Sequence, residues 1–370
     1  MATVANFLDE LSVKGQLYEK LDDGAVRCYA CGHRCLIREG RRGICKVRYN
    51  QGGELYVPWG YVAALQADPI EKKPFFHIYP GSDALTFGML GCDFHCGYCQ
   101  NWLTSQTMRD PAADRSVGLV RQITPQGMVE LAQRTGARVL ASSYNEPLIT
   151  SEWAVDIFKE AQKAGYECVY ISNGNGTPEA LEYLRPYLIG YKIDLKTMQD
   201  KHYRQLGGVL QNVLDTIQLA YDLGLWVEVV TLVVPGFNDD PGELMDAARY
   251  IASVSPDIPW HVTAFHPEYQ MMAPSPTSIH TLMQAAEIGE EAGLRYVYAG
   301  NIPGRVGNYE NTLCPNCKKV LIRRSGYVIQ SYQITPDGTC PQCGTRIAGV
   351  WPKEPENVRL NSWGMPRPLR

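Results

Sequence analysis

The chain has 370 residues, 45 % hydrophobic and 20 % charged, with a formal net charge of −4. That length suits two or three folded units, and the near-neutral balance gives no argument for broad electrostatic binding of nucleic acid. No apolar run reaches the roughly 20 residues of a membrane span, and the start Met1-Ala2-Thr3-Val4-Ala5-Asn6 lacks a secretory pattern, so a cytoplasmic location is expected.

The 12 cysteines fall into three groups and one single residue. Close clusters without a secretion signal point to metal sites rather than disulfides. Residues 1–27 are expected to form a short helix from about Asn6 to Leu21, with no chemical signal. The first group follows: Cys28, Cys31, Cys35 and Cys45, with His33 between ligands. Four thiolates meet the count of a closed four-coordinate site. Zinc and an auxiliary iron–sulfur cluster both accept this set, and zinc is the preferred reading. Arg34, Arg38, Arg41, Arg42, Lys46 and Arg48 make the module basic, which is expected of a solvated face.

After Leu85-Thr86-Phe87-Gly88-Met89-Leu90 comes Gly91-Cys92-Asp93-Phe94-His95-Cys96-Gly97-Tyr98-Cys99. Cys92, Cys96 and Cys99 can converge on one centre with no fourth cysteine nearby. Structural sites close with four protein ligands, whereas reactive sites keep a position open. The loop therefore suggests an iron–sulfur cluster with one iron free.

From Leu85 apolar runs alternate with amphipathic stretches. Strands are expected at Leu85–Leu90, Arg138–Ser142, Glu167–Ile171, Tyr191–Leu195, Trp226–Val234 and Trp260–Phe265, with Arg295–Ala299 as an edge extension. Thr124-Pro125, Thr177-Pro178 and Asp240-Pro241 open helices between them, Thr150 or Ser151 caps another, and Gly165 and Gly224 follow helix ends. Such units force a parallel sheet with helical crossovers. The strand ends carry the cysteine loop, Tyr144-Asn145-Glu146-Pro147, Ser172-Asn173-Gly174-Asn175, Asp194 with Lys196, Pro235-Gly236-Phe237-Asn238, and His266-Pro267. Polar contributions at one mouth favour an α/β fold of partial (β/α)6 TIM-like barrel type. Cys168 lies in a strand and reads as a core thiol.

After Pro303 the alternation stops. Cys314-Pro315-Asn316-Cys317 and Cys340-Pro341-Gln342-Cys343, separated by β-prone residues, read as a zinc ribbon. Lys318, Lys319, Arg323 and Arg324 permit nucleic-acid contact, although a small stability module is the preferred reading. The tail Trp351–Arg370 is expected to lie irregularly on the surface. The units are a Cys-rich metal-binding module at 1–71, the barrel at 72–303, and the ribbon with its tail at 304–370.

With these residues in place, the region from about Lys72 to Pro303 resembles radical S-adenosylmethionine (SAM) enzymes close to pyruvate formate-lyase activating enzymes. The whole chain resembles the radical SAM component of the AmmeMemoRadiSam system. The likeness rests on Cys28-x2-Cys31-x3-Cys35-x9-Cys45, Gly91-Cys92-x3-Cys96-x2-Cys99-Gln100-Asn101-Trp102, Ser172-Asn173-Gly174, Asp194-Leu195-Lys196, Trp260-His261, Phe265-His266-Pro267 and the terminal ribbon. It implies a [4Fe-4S] cluster on Cys92, Cys96 and Cys99, with SAM chelating the fourth iron. Reductive cleavage would then give methionine and a 5′-deoxyadenosyl radical that abstracts hydrogen from a substrate.

In such a site Glu146 suits the methionine ammonium, in a motif less glycine-rich than the family's usual form. Ser172 and Asn173 suit the ribose hydroxyls. Asp194 and Lys196 share a strand face at the SAM site. Tyr98 would lie near the adenine with Val233 and Val234 as an apolar wall, and His266 corresponds to a site histidine with a catalytic role. Expected partners are an electron donor of flavodoxin or ferredoxin type and Memo-like and AMMECR1-like proteins; nucleic acid and membrane are not expected. The rival reading is a zinc-stabilised RNA-binding or RNA-modifying protein, with His95 completing a Cys3His site.

Overall fold

The computed structural model describes residues 4–362 and 364–369. Its largest sheet has nine strands. Eight are β1 (Ala64–Pro69), β2 (Asp83–Gly88), β3 (Val139–Ser142), β4 (Glu167–Ser172), β5 (Gly190–Asp194), β6 (Trp226–Val233), β7 (Trp260–Ala264) and β8 (Val297–Gly300). They lie side by side in chain order, and Arg367–Pro368 adds a short strand outside β1. β2 to β8 are parallel; β1 runs antiparallel to β2. Leu140 sits beside both Leu85 and Cys168, and Cys168 is fully buried as a core thiol.

Strands covered on both faces read as continuous apolar runs, which is why β2, β3 and β7 are buried along their whole length. The strand order never reverses, so there is no switch point of the doubly wound kind. All seven parallel C-terminal ends therefore open on one edge. The sheet is α/β and mostly parallel, with β8 at one edge and the antiparallel strands β1 and Arg367–Pro368 at the other.

The crossover helices begin where the sequence signals them. Thr124, Thr177 and Asp240 each accept a backbone N–H in the first turn, with proline next in line. The expected cap at Thr150 or Ser151 differs: the helix Ser151–Lys163 continues from a short turn, and Thr150 makes no side-chain cap bond.

The expected N-terminal helix is the main correction. Only Val4–Asp9 is helical; Ser12–Lys14 pairs with Tyr56–Pro58, and Tyr18–Lys20 pairs with Val26–Cys28. Gly15 marks the reason. Its N–H donates to Leu55 O (2.7 Å), and a Cβ there would come within 2.7 Å of Val57. Tertiary pairing outweighs a weak helix propensity.

The basic module is also less solvated than its composition suggests. Arg48 is buried and holds Glu152 in two bonds (2.8 and 2.7 Å). Arg34 pairs with Glu179 and Arg42 with Asp9. Val26, Ala30, Val47 and Leu55 pack into the same apolar core as the parallel sheet and its helices. The line drawn at 71/72 falls between β1 and β2, two strands of one sheet.

At the other end Thr312–Leu313, Val320–Ser325 and Val328–Tyr332 form an antiparallel sheet. Its core includes Phe76, Tyr296 and Tyr298. Arg324 is buried there, donating to Thr312 and to Phe76 O, and so is unavailable to nucleic acid. The tail is tied down as well: Arg359 and Arg367 both reach Asp83.

Candidate active site

The loop after β2 carries Cys92, Cys96 and Cys99. Gly91 turns it with φ +97°, and a Cβ there would stand 2.8 Å from Val47, a conformation and a space that favour glycine. Phe94 N–H donates to Cys92 Sγ (3.4 Å), and Cys99 Sγ lies 3.2 Å from Ser105 Oγ. Burial pushes all three thiols up, Cys96 to about 12 even though the neighbouring Lys196 charge works the other way. A metal reverses that, because a coordinated thiol is held as thiolate.

Asp93 is the hub of the site and was passed over in the sequence. Fully buried beside Cys92, it accepts from Asn173 Nδ2 (2.7 Å) and Asn175 Nδ2 (2.8 Å). The Glu146 carboxylate accepts from Ser172 Oγ (2.7 Å), Asn173 N–H (2.7 Å) and Leu148 N–H (3.0 Å). Burial and then the Asp93 charge raise Glu146 to about 8. Glu146, Ser172 and Asn173 thus come together as expected, but their hydrogen bonds here run to one another and to Asp93.

Across the mouth Asp194 accepts from Lys192 and from Lys196 (3.1 Å). Burial opposes its ionisation, but the two ammonium groups outweigh it and bring the carboxyl down to about 2. Lys192 was missed, although alternation along β5 puts 192, 194 and 196 on one face. Lys73, pushed down to about 8 by burial, pairs with Asp68 (2.6 Å) and stacks over Tyr144.

Tyr98 is buried, with its ring edge-on to Phe237 at 6.0 Å. Val233 and Val234 are fully buried, and Val234 N–H donates to Asn238 Oδ1 (2.7 Å). His266 is exposed, with Nε2 3.0 Å from Gln100 Nε2. The following loop latches onto the cysteine turn, since Gln270 and Met271 N–H both donate to Gly97 O. His95 packs on Gly207, where a Cβ would meet its ring at 2.6 Å; it joins no group of three or more close ligating side chains among the described residues. His33 packs edge-on to Phe94 at 6.5 Å.

The ribbon cysteines form a tight set. Cys314 and Cys343 sulfurs are 3.6 Å apart, as are those of Cys317 and Cys340, and all four lie within 4.8 Å of one another. Such a group can hold a metal ion. No helix in the described residues is long and apolar enough to cross a membrane.

Comparison with known proteins gives matches of three kinds: a family model, sequence relatives and solved structures. The radical SAM superfamily matches residues 87–248, from the end of β2 into the helix before β7. An uncharacterized protein of Methanocaldococcus jannaschii is 39 % identical over 339 residues, covering 90 % of this chain and 98 % of that protein. The pyruvate formate-lyase-activating enzyme of Staphylococcus epidermidis is 26 % identical over 186 residues, covering 48 % of this chain and 72 % of the enzyme. Among solved structures, a domain of pyruvate-formate lyase-activating enzyme from Bacteroides vulgatus overlays 44 % of this chain and 98 % of its own, at 17 % identity and TM-score 0.39. Streptococcus suis SuiB overlays 63 % of this chain and 52 % of its own, at 12 % identity and TM-score 0.46.

Proposed function

Because the chain carries a radical SAM domain and belongs to one family with the archaeal protein, we propose that it is an activating-enzyme-like radical SAM oxidoreductase whose substrate can be a partner protein. The observation that carries this reading is the three-thiol loop at the C-terminal ends of a singly wound parallel sheet, with the buried Asp93–Asn173–Glu146 network and the Lys192–Asp194–Lys196 set on later strand ends. When bound, a [4Fe-4S] cluster with SAM supplies one-electron cleavage of SAM to methionine and a 5′-deoxyadenosyl radical. Cys92, Cys96 and Cys99 would hold the cluster. Glu146 would meet the ammonium of SAM and Lys196 its carboxylate, with Asp194 fixing the lysine. Ser172 and Asn173 would position Glu146 and reach the ribose, and Tyr98 with Val234 would border the adenine. His266, beside Gln100 at the exposed rim, would act on the substrate side.

The cysteine modules at both ends of the chain support the finer assignment to an AmmeMemoRadiSam system, and Memo-like and AMMECR1-like partners with a flavodoxin- or ferredoxin-type donor are proposed as what that assignment implies. Zinc is proposed for the ribbon, whose sulfur spacing suits a single tetrahedral ion. Protein purified without oxygen should be brown, contain iron and sulfide, and form 5′-deoxyadenosine from SAM and dithionite. Cys96→Ala should abolish that product. A colourless protein holding only zinc would favour the RNA-binding alternative and overturn the proposal.

A further inference from the structure

We propose that the face of the parallel sheet turned away from the helices is the substrate pocket, and that between Lys73 and Lys192 it takes an oxyanion of the substrate, a carboxylate or a phosphate. The pocket rests on the radical SAM reading of the neighbouring site and names the chemistry of what that site acts upon.

Strand register builds this face. Asp68 lies beside Ala84, Thr86 beside Ala141, and Ile171 beside Lys192. Asp194 lies beside Val230, Leu232 beside Thr263, and Thr263 beside Gly300. Side chains alternate along each strand, so Asp68, Thr86, Lys192, Asp194 and Thr263 share one side of the sheet. The alternate residues Leu85, Leu140, Cys168, Tyr191, Val229 and Val262 belong to the apolar core built with the helices. Toward the C-terminal strand ends of the polar side, Ile171, Asp194, Leu232 and Gly300 are only partly buried. The face therefore opens on the same edge as the cysteine loop, and Asp194 and Lys196, assigned above to SAM, stand at its entrance.

Its charges do not balance. Lys72 (2.9 Å) and Lys73 (2.6 Å) share Asp68, while Lys192 and Lys196 (3.1 Å) share Asp194. Lys73 and Lys192 are buried, where a charge is ordinarily paired. Four ammonium groups against two carboxylates leave two positive charges in excess. The other acids of the region are engaged elsewhere. Glu228, beside Lys192 in register, accepts from Phe76 and His77 N–H, Trp226 Nε1 and His261 Nε2. Glu71 accepts from Gly81 N–H and lies 4.0 Å from Arg324. In the proposed site the SAM carboxylate meets one excess charge at Lys196; the other is left for the substrate. Lys73 behaves as a cation short of counter-charge: burial brings it down to about 8, and Lys72 and Lys192 push the same way against Asp68.

Tyr144 is turned into this pocket from the strand end that carries Glu146. Its φ of +70° is a left-handed conformation that bulky residues rarely adopt. That turn brings its hydroxyl to Asp68 (2.5 Å) and its ring to 4.2 Å from the Lys73 ammonium. Strain of this kind persists where a contact serves function. Tyr144 fixes Lys73 and Asp68 in place without supplying the missing negative charge.

The test titrates acetate and inorganic phosphate, with acetamide as the uncharged control, into anaerobically reconstituted full-length protein saturated with SAM, at fixed ionic strength, by calorimetry. Acetate or phosphate should bind at one site and acetamide should not; the tighter of the two anions identifies the substrate group. Lys73→Met and Lys192→Met should each weaken that anion about tenfold, whereas Lys163→Met, on an exposed helix face, should not change it. Asp68→Asn removes a competing carboxylate and should tighten the anion several-fold, a gain that a damaged fold does not imitate. Should the lysine variants not fold, Asp68→Asn decides. Absence of saturable binding, equal binding of acetamide, or an affinity that Lys73→Met, Lys192→Met and Asp68→Asn leave unchanged would overturn the inference. The expected pattern in protein that forms no 5′-deoxyadenosine would keep the pocket and sink the radical SAM reading; 5′-deoxyadenosine formed by protein without that pattern would do the reverse.

Discussion

Arg48→Met tests how the N-terminal module is held. Arg48 and Glu152 are both buried, joined by two charge-assisted bonds, and Arg48 also donates to Ile149 O (3.1 Å). Without the guanidinium, Glu152 keeps backbone N–H groups alone, those of Gln16 and Leu17 at 3.2 and 3.3 Å and its own. Removing one partner of a buried pair costs about 3–5 kcal/mol, because the remaining charge is stranded, whereas replacing both can restore much of the loss. Denaturant unfolding at pH 7 should show that penalty, and hydrogen exchange should place the loosening in residues 12–58. Arg48→Met/Glu152→Leu should recover most of it. Burial opposes ionisation of Glu152, but Arg48 holds its pKa below the usual value. The stabilisation is therefore present above the unfolded carboxyl pKa and is lost as pH falls through the folded one, so the gap between wild type and Arg48→Met should shrink below about pH 4. A penalty under about 1 kcal/mol, or one unchanged at acid pH, would refute the reasoning.

Lys196→Met should raise the dissociation constant for SAM about tenfold, roughly 1.4 kcal/mol, with iron content unchanged; equal affinity by calorimetry would remove the lysine from the SAM site. Gly91→Ala meets a positive φ and the Val47 side chain, so a loss of about 1–2 kcal/mol from the backbone alone should lower iron content without changing zinc. Cys314→Ser should release the ribbon's metal and loosen the core around Phe76 and Tyr298, measured as loss of one metal equivalent while the iron stays.

Much of the mouth was legible because its signals are local. The cysteine spacing, the Thr-Pro and Asp-Pro helix starts and the i, i+2 alternation of Asp194 and Lys196 need no tertiary information. Arg48 could not be read this way, because its partner lies 104 residues on and a buried ion pair leaves no periodic trace. The same holds for the short strands near Gly15, which exist through pairing with 54–58. Asp93 was visible but unweighted: an acid inside a cysteine loop gains meaning only once Asn173 and Asn175 are seen to fold over it.

Glu146 offers the sharpest link between electrostatics and binding. Asp93 and Glu146 are two buried carboxyls joined through Asn173, while Lys192 and Lys196 both donate to Asp194. The proposed reading sets the ammonium of SAM toward Glu146 and its carboxylate toward Lys196. With its pKa raised to about 8 by burial and Asp93, Glu146 is largely protonated at neutral pH in the free protein. An arriving ammonium favours the ionised form, so binding should expel a proton. The affinity for SAM should therefore climb as pH rises from about 6 to about 8 and level off above. Calorimetry in buffers of different ionisation enthalpy should record proton release near neutrality. Glu146→Gln keeps the shape and the bond from Ser172 but cannot ionise, so its affinity should be lower and lose this slope. If wild type and Glu146→Gln show the same pH dependence, Glu146 does not face the ammonium and serves only as the cap of the turn at Leu148.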